Sequence, residues 1–189
     1  MRYFSLLLFS VLIMTSCATL TGMLSMVNCN YDIRNVTNPE LLGISLTNVS
    51  DVTKLDAVSM LRLTTSILAG SLPLSATVNV GINNPNASAA QIGGLDWELY
   101  FNNAGVLSGS TAQNIYVAPN GGVSTIPLNL QVDIMNFVKR ESREEVFDFV
   151  NGLLHLGENA SSVALRIRPT LTIGGQNIRT GFITVTKNI

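Results

Sequence analysis

The sequence predicts an all-β protein, an antiparallel β-sandwich of about seven to eight strands with two short helical excursions. Three observations support this fold class. Apolar and polar residues alternate along several segments, as in strands that bury one face. Gly, Asn and Pro separate these segments, as turns require. Two other stretches have helical spacing. Short strands between turns favour a sandwich over a parallel sheet with crossover helices.

The clearest strand is predicted at residues 71–83, where every even position from Leu72 to Ile82 is apolar and the odd positions are polar or small. Asn84-Pro85-Asn86 ends it as a turn, because proline donates no ladder hydrogen bond and asparagine tolerates turn geometry. Further strands are expected, in chain order, at 31–36, 42–46, 95–101, 113–117, 126–134, 163–173 and 178–186. Pro169 indicates that the strand 163–173 lies at an edge of the sheet or contains a bulge.

A first helix is predicted between Asp56 and Ala69. Four residues recur at helical spacing, namely Val58, Leu61, Thr65 and Leu68. A carboxylate at Asp56 suits the start of a helix, and Gly70 stands where a helix would stop.

A second helix is predicted at 141–156, with acidic residues crowded into its first turns, as the helix dipole prefers. Its apolar stripe consists of Val146, Phe149, Val150, Leu153 and Leu154. We expect this stripe to cap an open end of the sandwich. The alternative is a docking surface for another envelope protein.

Composition narrows the function classes. The chain has 189 residues, of which 47% are hydrophobic and only 12% charged, so a solvated disordered protein is excluded. The length fits one domain and a leader. The formal net charge is −1, and without a basic field nucleic-acid binding is not expected.

The first 16 residues are predicted to be a secretory signal. Arg2 supplies a positive charge, and the apolar run 6–14 is interrupted only by Ser10. This run is far shorter than the roughly 20 residues that a membrane-spanning helix needs.

The last three residues of this signal and the residue after it form the sequence Met14-Thr15-Ser16-Cys17, which resembles the lipobox of bacterial lipoproteins. The resemblance implies cleavage before Cys17, lipidation of that cysteine and membrane anchoring by its acyl chains. Ala18, in place of an aspartate, implies the outer membrane, and the uncharged stretch 18–27 favours a periplasm-facing protein. The alternative is an ordinary cleaved signal that happens to contain a cysteine. If Cys17 is lipidated, Cys29 has no partner for a disulfide within the chain, and we expect it to be a small buried residue.

On this basis we divide the chain into a signal peptide (1–16), a lipidated cysteine with its linker (17–30) and one β-sandwich domain (31–189). Within the domain, the strand–Asn-Pro-Asn–strand order followed by LDWELYFNNAGVLSG resembles the LEA-2 family, the LEA14-like proteins with a water-stress and hypersensitive-response (WHy) domain. The matching residues are Asn84, Pro85, Asn86, Leu95, Tyr100, Val106 and Gly109. The closing strands, Ile167-Arg168-Pro169 and 174–185, are similar to those of the family.

The resemblance covers about residues 28–189, is sharpest at 72–109, and departs from the family pattern at the helix 141–156, which looks inserted. It implies a fibronectin-III-like or immunoglobulin-like sandwich. Family members are linked to desiccation and other stress responses and have no known catalytic residues. The resemblance therefore implies protection or binding, and it supplies no catalytic, metal or cofactor residue.

The residues that could carry chemistry each have a simpler interpretation. His155, the single histidine, has no nucleophile or metal ligand at a suitable spacing, so we expect it at the surface or in a helix cap. Asp96 and Glu98 share one face of a strand and could act as acid and base or hold calcium, but solubilising charge explains them. Trp97 could form a sugar platform with its aromatic neighbours, but it falls in the core register, as does Phe101.

Three functions remain. The first is a non-catalytic, lipid-anchored LEA-2/WHy-type envelope protein, acting as a stress-protective or protein-interaction module. The second is an accessory ligand-binding lipoprotein for glycans or other envelope polymers. It would need exposed aromatic residues, of which Tyr100 is the candidate. The third is an enzyme that uses Asp96, Glu98 and His155, and it has the least support.

Overall fold

The computed structural model describes residues 28–138, 143–158, 162–173 and 176–186. The predicted signal peptide, Cys17 and most of the linker fall in residues 1–27, outside the described ranges. The described residues form eleven strands and two α-helices. In chain order these are β1 Asn30–Leu41, β2 Ile44–Ser45, α1 Ala57–Ala69, β3 Pro73–Asn84, β4 Ala90–Ile92, β5 Gly94–Phe101, β6 Ala104–Thr111, β7 Ile115–Val117, β8 Gly122–Asp133, α2 Arg143–Leu154, β9 Val163–Ile173, β10 Gln176–Arg179 and β11 Ile183–Val185.

The strands build two main antiparallel sheets. The first has the order β2-β1-β3-β8, and the second has the order β10-β9-β5-β6, with β11 also paired to β9. A small third sheet pairs β4 with β7. The predicted all-β antiparallel sandwich is therefore confirmed. The sheets contain more strands than expected because β4 and β6 were not predicted and the single strand expected at 178–186 is divided into β10 and β11.

One strand of full length, β6, was missed by the sequence analysis, which placed the next strand at 113–117. Residues 104–111 are mostly small and largely exposed, so they show no apolar alternation. The turn before β6 is Asn102-Asn103, and both residues have positive φ, at 46° and 66°. Such a pair joins two strands tightly, so β5 and β6 form a hairpin.

The core lies between the two main sheets. The alternating residues of β3, from Leu74 to Ile82, are buried and face those of β5 and β9 in one continuous cluster. Burial of this apolar surface is the main force that holds the sheets together. A backbone bond from Ile33 N to Thr186 O, at 3.0 Å, joins β1 of the first sheet to the chain just after β11 of the second.

Pro169 does not occupy a sheet edge, which corrects the prediction for β9. This strand pairs with β5 on one side, where Pro169 is opposite Leu95 without a register shift. On its other side β9 pairs with β11 at Leu165–Ile167 and with β10 at Thr170–Ile173. Pro169 lies at the gap between those two short strands, where its missing N–H removes no ladder bond.

Helix α1 confirms the predicted boundaries. The Asp56 side chain accepts hydrogen bonds from the N–H groups of Val58 and Ser59, both at 3.0 Å, and so caps the helix. Gly70 ends it in the left-handed region, at φ 79°. The buried residues are Ser59, Leu63 and Ile67. All four residues of the predicted stripe, Val58, Leu61, Thr65 and Leu68, are exposed.

Helix α2 begins at Arg143 and ends at Leu154, within the predicted range, while 141 and 142 lie outside the described residues. Its stripe is buried as expected at Val146, Phe149, Val150 and Leu153, and Leu154 is half-buried. The Phe149 ring packs edge-on against Phe101, at the end of β5, and against Phe137, with centroids 5.4 and 4.8 Å apart. Helix α2 therefore caps one open end of the sandwich.

Both helices lie at the same end of the molecule, and the chain enters the fold at the other. In the β1–β3 pairing, Asn30 is opposite Asn83, whereas Leu41 is opposite Leu74, next to α1. Helix α2 is tied to the segment before α1, because Asn151 Oδ1 accepts from Val52 N at 2.8 Å. Twelve residues of strand span about 35–40 Å, so this distance separates the first strand residue from the helical end.

Candidate functional site

The Asn84-Pro85-Asn86 turn is a structural clamp. Asn84 is fully buried, and its Oδ1 accepts from the backbone N–H of Asn86 at 3.1 Å and from Asn86 Nδ2 at 2.7 Å. Its Nδ2 donates to the carbonyl oxygens of Ser88 and Val117, at 2.9 and 3.2 Å. The motif thus fastens the loop after β3 to β7, and every amide atom of Asn84 is used internally.

The other residues of the resemblance are also internal or partly so. Leu95 is buried in the core. Tyr100 is half-buried, its hydroxyl donates to Glu98 Oε2 at 2.8 Å, and the Arg166 guanidinium lies over its ring at 4.5 Å. Gly109 is opposite Trp97 in the β5–β6 pairing. None of these three residues presents a fully exposed side chain that could contact a ligand.

The aromatic platform that a sugar site on β5 would need is absent. Trp97 and Phe101 are buried, as their register predicts, with Trp97 only 7% exposed. Tyr100 has one face of its ring covered by Arg166. Strand β5 therefore lacks the exposed aromatic residues that the sequence analysis required for a ligand-binding function.

Of the two carboxylates of β5, Asp96 forms an ion pair with an arginine on β9. Asp96 is opposite Arg168 and accepts from its Nη2 at 3.0 Å and its Nε at 3.3 Å. Glu98 is opposite Arg166. The outer face of the second sheet therefore carries charges of both signs, and the Asp96–Arg168 pair stabilises a cross-strand contact.

His155 lies at the surface just after α2, as expected. Its Nε2 is 2.9 Å from the carbonyl oxygen of Ser50, which can only accept, so Nε2 donates this bond. Its Nδ1 is 3.1 Å from Glu158 Oε2. The ring thus ties the end of α2 to the segment before α1. Asp96 and Glu98, on the outer face of β5, do not contact it.

Cys29 is buried, and burial raises the pKa of its thiol, which disfavours the reactive thiolate.

The outer face of the first sheet has a different layout, because its Asp32–Arg34 ion pair lies over Gly81, near the end where the chain enters, and the rest of the face is mostly neutral and polar. Across β1, β3 and β8, neighbouring outward residues carry hydroxyl or amide groups: Asn35, Thr37, Ser75, Thr77, Asn79, Asn129 and Gln131. Several bond to one another. Thr77 Oγ1 donates to Asn129 Oδ1 at 3.0 Å, and Asn79 Nδ2 donates to Asn35 Oδ1 at 2.8 Å. We call this surface the neutral polar face.

Two shallow depressions of about 420 and 480 Å³ lie on the neutral polar face, toward the helical end. They share Glu40, Ser75 and Gln131, so they adjoin. The backbone of β1 creates the relief, because the register shifts between Thr37 and Glu40 and Asn38 has a positive φ of 49°. The sequence showed these positions as polar, but nothing in it revealed the bulge.

A second open surface is the outer side of α1. Val58, Leu61 and Leu68 are 64, 68 and 79% exposed, and they make up three of the seven large apolar residues exposed in the described part of the chain. Their spacing of three and seven residues puts them on one side of the helix. We call this surface the α1 stripe. The sequence analysis found the spacing and did not recognise that it faces solvent.

Within the described ranges, no group of three or more His, Cys, Asp or Glu residues is placed to hold a metal ion. The helices described in these ranges are also too short, or insufficiently apolar, to cross a bilayer.

No protein-family model matches the sequence, and no curated protein has significant similarity to it. Two solved structures are similar at a low level. A crystal structure of a protein from Archaeoglobus fulgidus is 16% identical with a TM-score of 0.35, covering 62% of this chain and 87% of the other. A solution structure assigned to the late embryogenesis abundant (LEA) proteins is 13% identical with a TM-score of 0.35, covering 97% and 86%. These likenesses assign no role to any residue.

Proposed function

We propose that this chain is a non-catalytic, lipid-anchored protein of the bacterial outer membrane, of the LEA-2/WHy type, facing the periplasm. It acts as a stress-protective or protein-interaction module. The residue pattern from Leu72 to Gly109 supports the family assignment, and Met14-Thr15-Ser16-Cys17 supports the anchor.

The observation that carries an interaction role is the α1 stripe. Large apolar side chains that lie together on a surface are characteristic of contact sites, since water solvates them poorly. The apolar side of α2 is buried, so a partner at 141–156 would meet its polar outer side, which includes Glu144 and Asp148. We therefore assign the partner surface to the helical end that both helices form, with the α1 stripe as its apolar part.

This end is far from the point where the chain enters the sandwich. The chain enters the sandwich at Asn30, and the helices lie about 35–40 Å away along β1. A lipid at Cys17 would thus hold the domain by one end and present the helices away from that membrane. Such an arrangement suits contact with a second envelope protein.

The anchor is tested by the mass of the N-terminal peptide from cells. We expect diacylglyceryl-modified Cys17 at the new N-terminus and loss of the lipid in Cys17→Ala. Cys29→Ala is the matched control and keeps the lipid. An unmodified Cys17 in the wild-type protein would rule out the anchor.

The interaction role is tested with a photo-crosslinking residue at position 61 in cells. A discrete adduct is expected there, and it weakens when Leu68→Gln is added. The control is the same residue at position 116, since Tyr116 is similarly exposed but lies on β7, at the other end. Identical adducts from the two positions would argue against a specific surface on α1.

The accessory ligand-binding function is the second candidate. Its aromatic basis is lost with the burial of Trp97. The observation that now favours a ligand-binding function is the pair of adjoining depressions on the neutral polar face.

A further inference from the structure

We propose that the neutral polar face binds a neutral glycan, with the sugar chain lying in the two adjoining depressions over β1, β3 and β8. This inference rests on the accessory ligand-binding function and is independent of the lipid anchor and of the α1 stripe.

The first argument is the match of hydrogen-bonding groups. A sugar hydroxyl both donates and accepts, so it needs neighbours of both kinds. Amide side chains provide a donor and an acceptor on one group, and the depressions are lined by Asn38, Asn129 and Gln131 together with the hydroxyls of Ser75 and Thr77.

The second argument is charge. Glu40 and Asp133 are the ionisable residues of the lining, and no lysine or arginine lines either depression. A phosphate-rich or acidic polymer would therefore find no cation there and would meet a carboxylate instead. Asp133 is engaged by Ser71 Oγ and by the N–H of Leu72, both at 2.8 Å. Glu40 remains as an acceptor suited to hydroxyl groups.

The third argument is that one lining amide, Asn129, and the nearby Asn79 on the same face are held in place before any ligand arrives. Asn129 uses Oδ1 to accept from Thr77, which leaves its Nδ2 as an outward donor. Asn79 uses Nδ2 to donate to Asn35 and to Thr37 Oγ1, at 2.8 and 3.1 Å, which leaves its Oδ1 as an acceptor. Because these side chains are already fixed, binding costs less side-chain entropy.

The fourth argument is the contrast within the molecule. The outer face of the second sheet carries Asp96, Glu98, Arg166 and Arg168. On the first sheet, by contrast, Arg34 is paired with Asp32 over Gly81 and lines neither depression. Asn38, at the bulge of β1, lines one of the two depressions, so the bulge contributes to the relief of this face.

The test titrates the protein, purified from cells in detergent, with a hexamer of N-acetylglucosamine as the neutral probe and measures binding by calorimetry. Saturable binding is expected at micromolar to millimolar probe. The double variant Asn129→Ala/Gln131→Ala should weaken it about tenfold or more, since each lost hydrogen bond has a modest effect on affinity. The control Ser108→Ala/Ser110→Ala, on exposed positions of β6, should leave the affinity within about twofold.

Three results would overturn the proposal. The first is no saturable binding by the wild-type protein. The second is equal binding by the Asn129/Gln131 variant, which would keep a ligand-binding function but move it elsewhere. The third is stronger binding of heparin than of the neutral hexamer, which would contradict the charge argument. Because both variants change exposed side chains, unchanged circular dichroism and thermal midpoints verify that they fold.

Discussion

The indole of Trp97 occupies the space that a side chain at position 109 would need. The two residues are directly opposite in the β5–β6 pairing, and a Cβ built on Gly109 would lie 2.6 Å from Cε2 of the indole and 3.0 Å from its Nε1. Trp97 can lie flat against the neighbouring strand only because residue 109 has no side chain. Two residues that stand out in the sequence are thus explained by one packing relationship.

Gly109→Ala should therefore destabilise the protein by about 1–3 kcal/mol, because an added methyl group must displace a packed indole. Gly105→Ala is the matched control on the same strand. Its Cβ would meet the Tyr100 ring at 3.8 and 3.9 Å, which is ordinary contact, so a change of less than about 0.5 kcal/mol is expected. Urea unfolding followed by the fluorescence of Trp97 measures both. Equal effects of the two substitutions would contradict the packing argument.

Asn84→Ala should lower the free energy of unfolding by roughly 2–3 kcal/mol, because it leaves the carbonyl of Val117 and the N–H of Asn86 without the side chain that bonds them. Asn83→Ala, one residue earlier and partly exposed on the opposite face, should change it by less than about 0.5 kcal/mol. Thermal unfolding of the three proteins gives the comparison. A stable Asn84→Ala variant would show that the motif is not a clamp.

The two sides of α1 give a third prediction. Leu63 is buried and Leu61 is 68% exposed, although both are leucines on the same helix. Leu63→Ala should destabilise the protein by about 2–5 kcal/mol, as deletion of core methyl groups does. Leu61→Ala should have almost no effect on stability and should act only on partner contact. Chemical unfolding distinguishes them, and a reversed order would mean that the helix is rotated from the orientation described.

Local chemistry explains why β3 and its turn could be predicted. Residues 74–83 alternate without exception, and the Asn-Pro-Asn that follows favours a turn. The start and end of α1 were equally readable, because Asp56 and Gly70 act within a few residues of the helix termini.

The face of α1 could not be predicted in the same way. The helix carries apolar residues on two sides, Leu63 and Ile67 on one and Leu61 and Leu68 on the other. Which side is buried depends on where the sheet and α2 lie, and this is tertiary information. The depressions on the neutral polar face depend likewise on the bulge near Asn38 and on which strands become neighbours. Alternation within one strand does not determine either.

Acid should destabilise the fold through carboxylates that accept hydrogen bonds in the native state. Burial raises the pKa of Asp133, but hydrogen bonds from Leu72 N, Ser71 Oγ and Met135 N outweigh it, and the net pKa is lowered from 3.8. Hydrogen bonds from Thr53 lower the pKa of Asp51, and those from Ser59 lower that of Asp56. A pKa that is lower in the folded state gives stability that is present above the unfolded value of 3.8 and is lost as the pH falls through the folded value.

The thermal midpoint should therefore change little at pH values well above 3.8 and drop below that value. Asp133→Asn should shrink this drop, because it keeps an oxygen acceptor near Leu72 and Met135 but cannot be protonated over this range. Asp148→Asn, at an exposed position on α2, is the control and should retain the wild-type acid response. Calorimetry from pH 7 to pH 2.5 makes the comparison. If Asp133→Asn loses as much stability in acid as the wild-type protein, the hydrogen bonds to Asp133 do not stabilise its carboxylate.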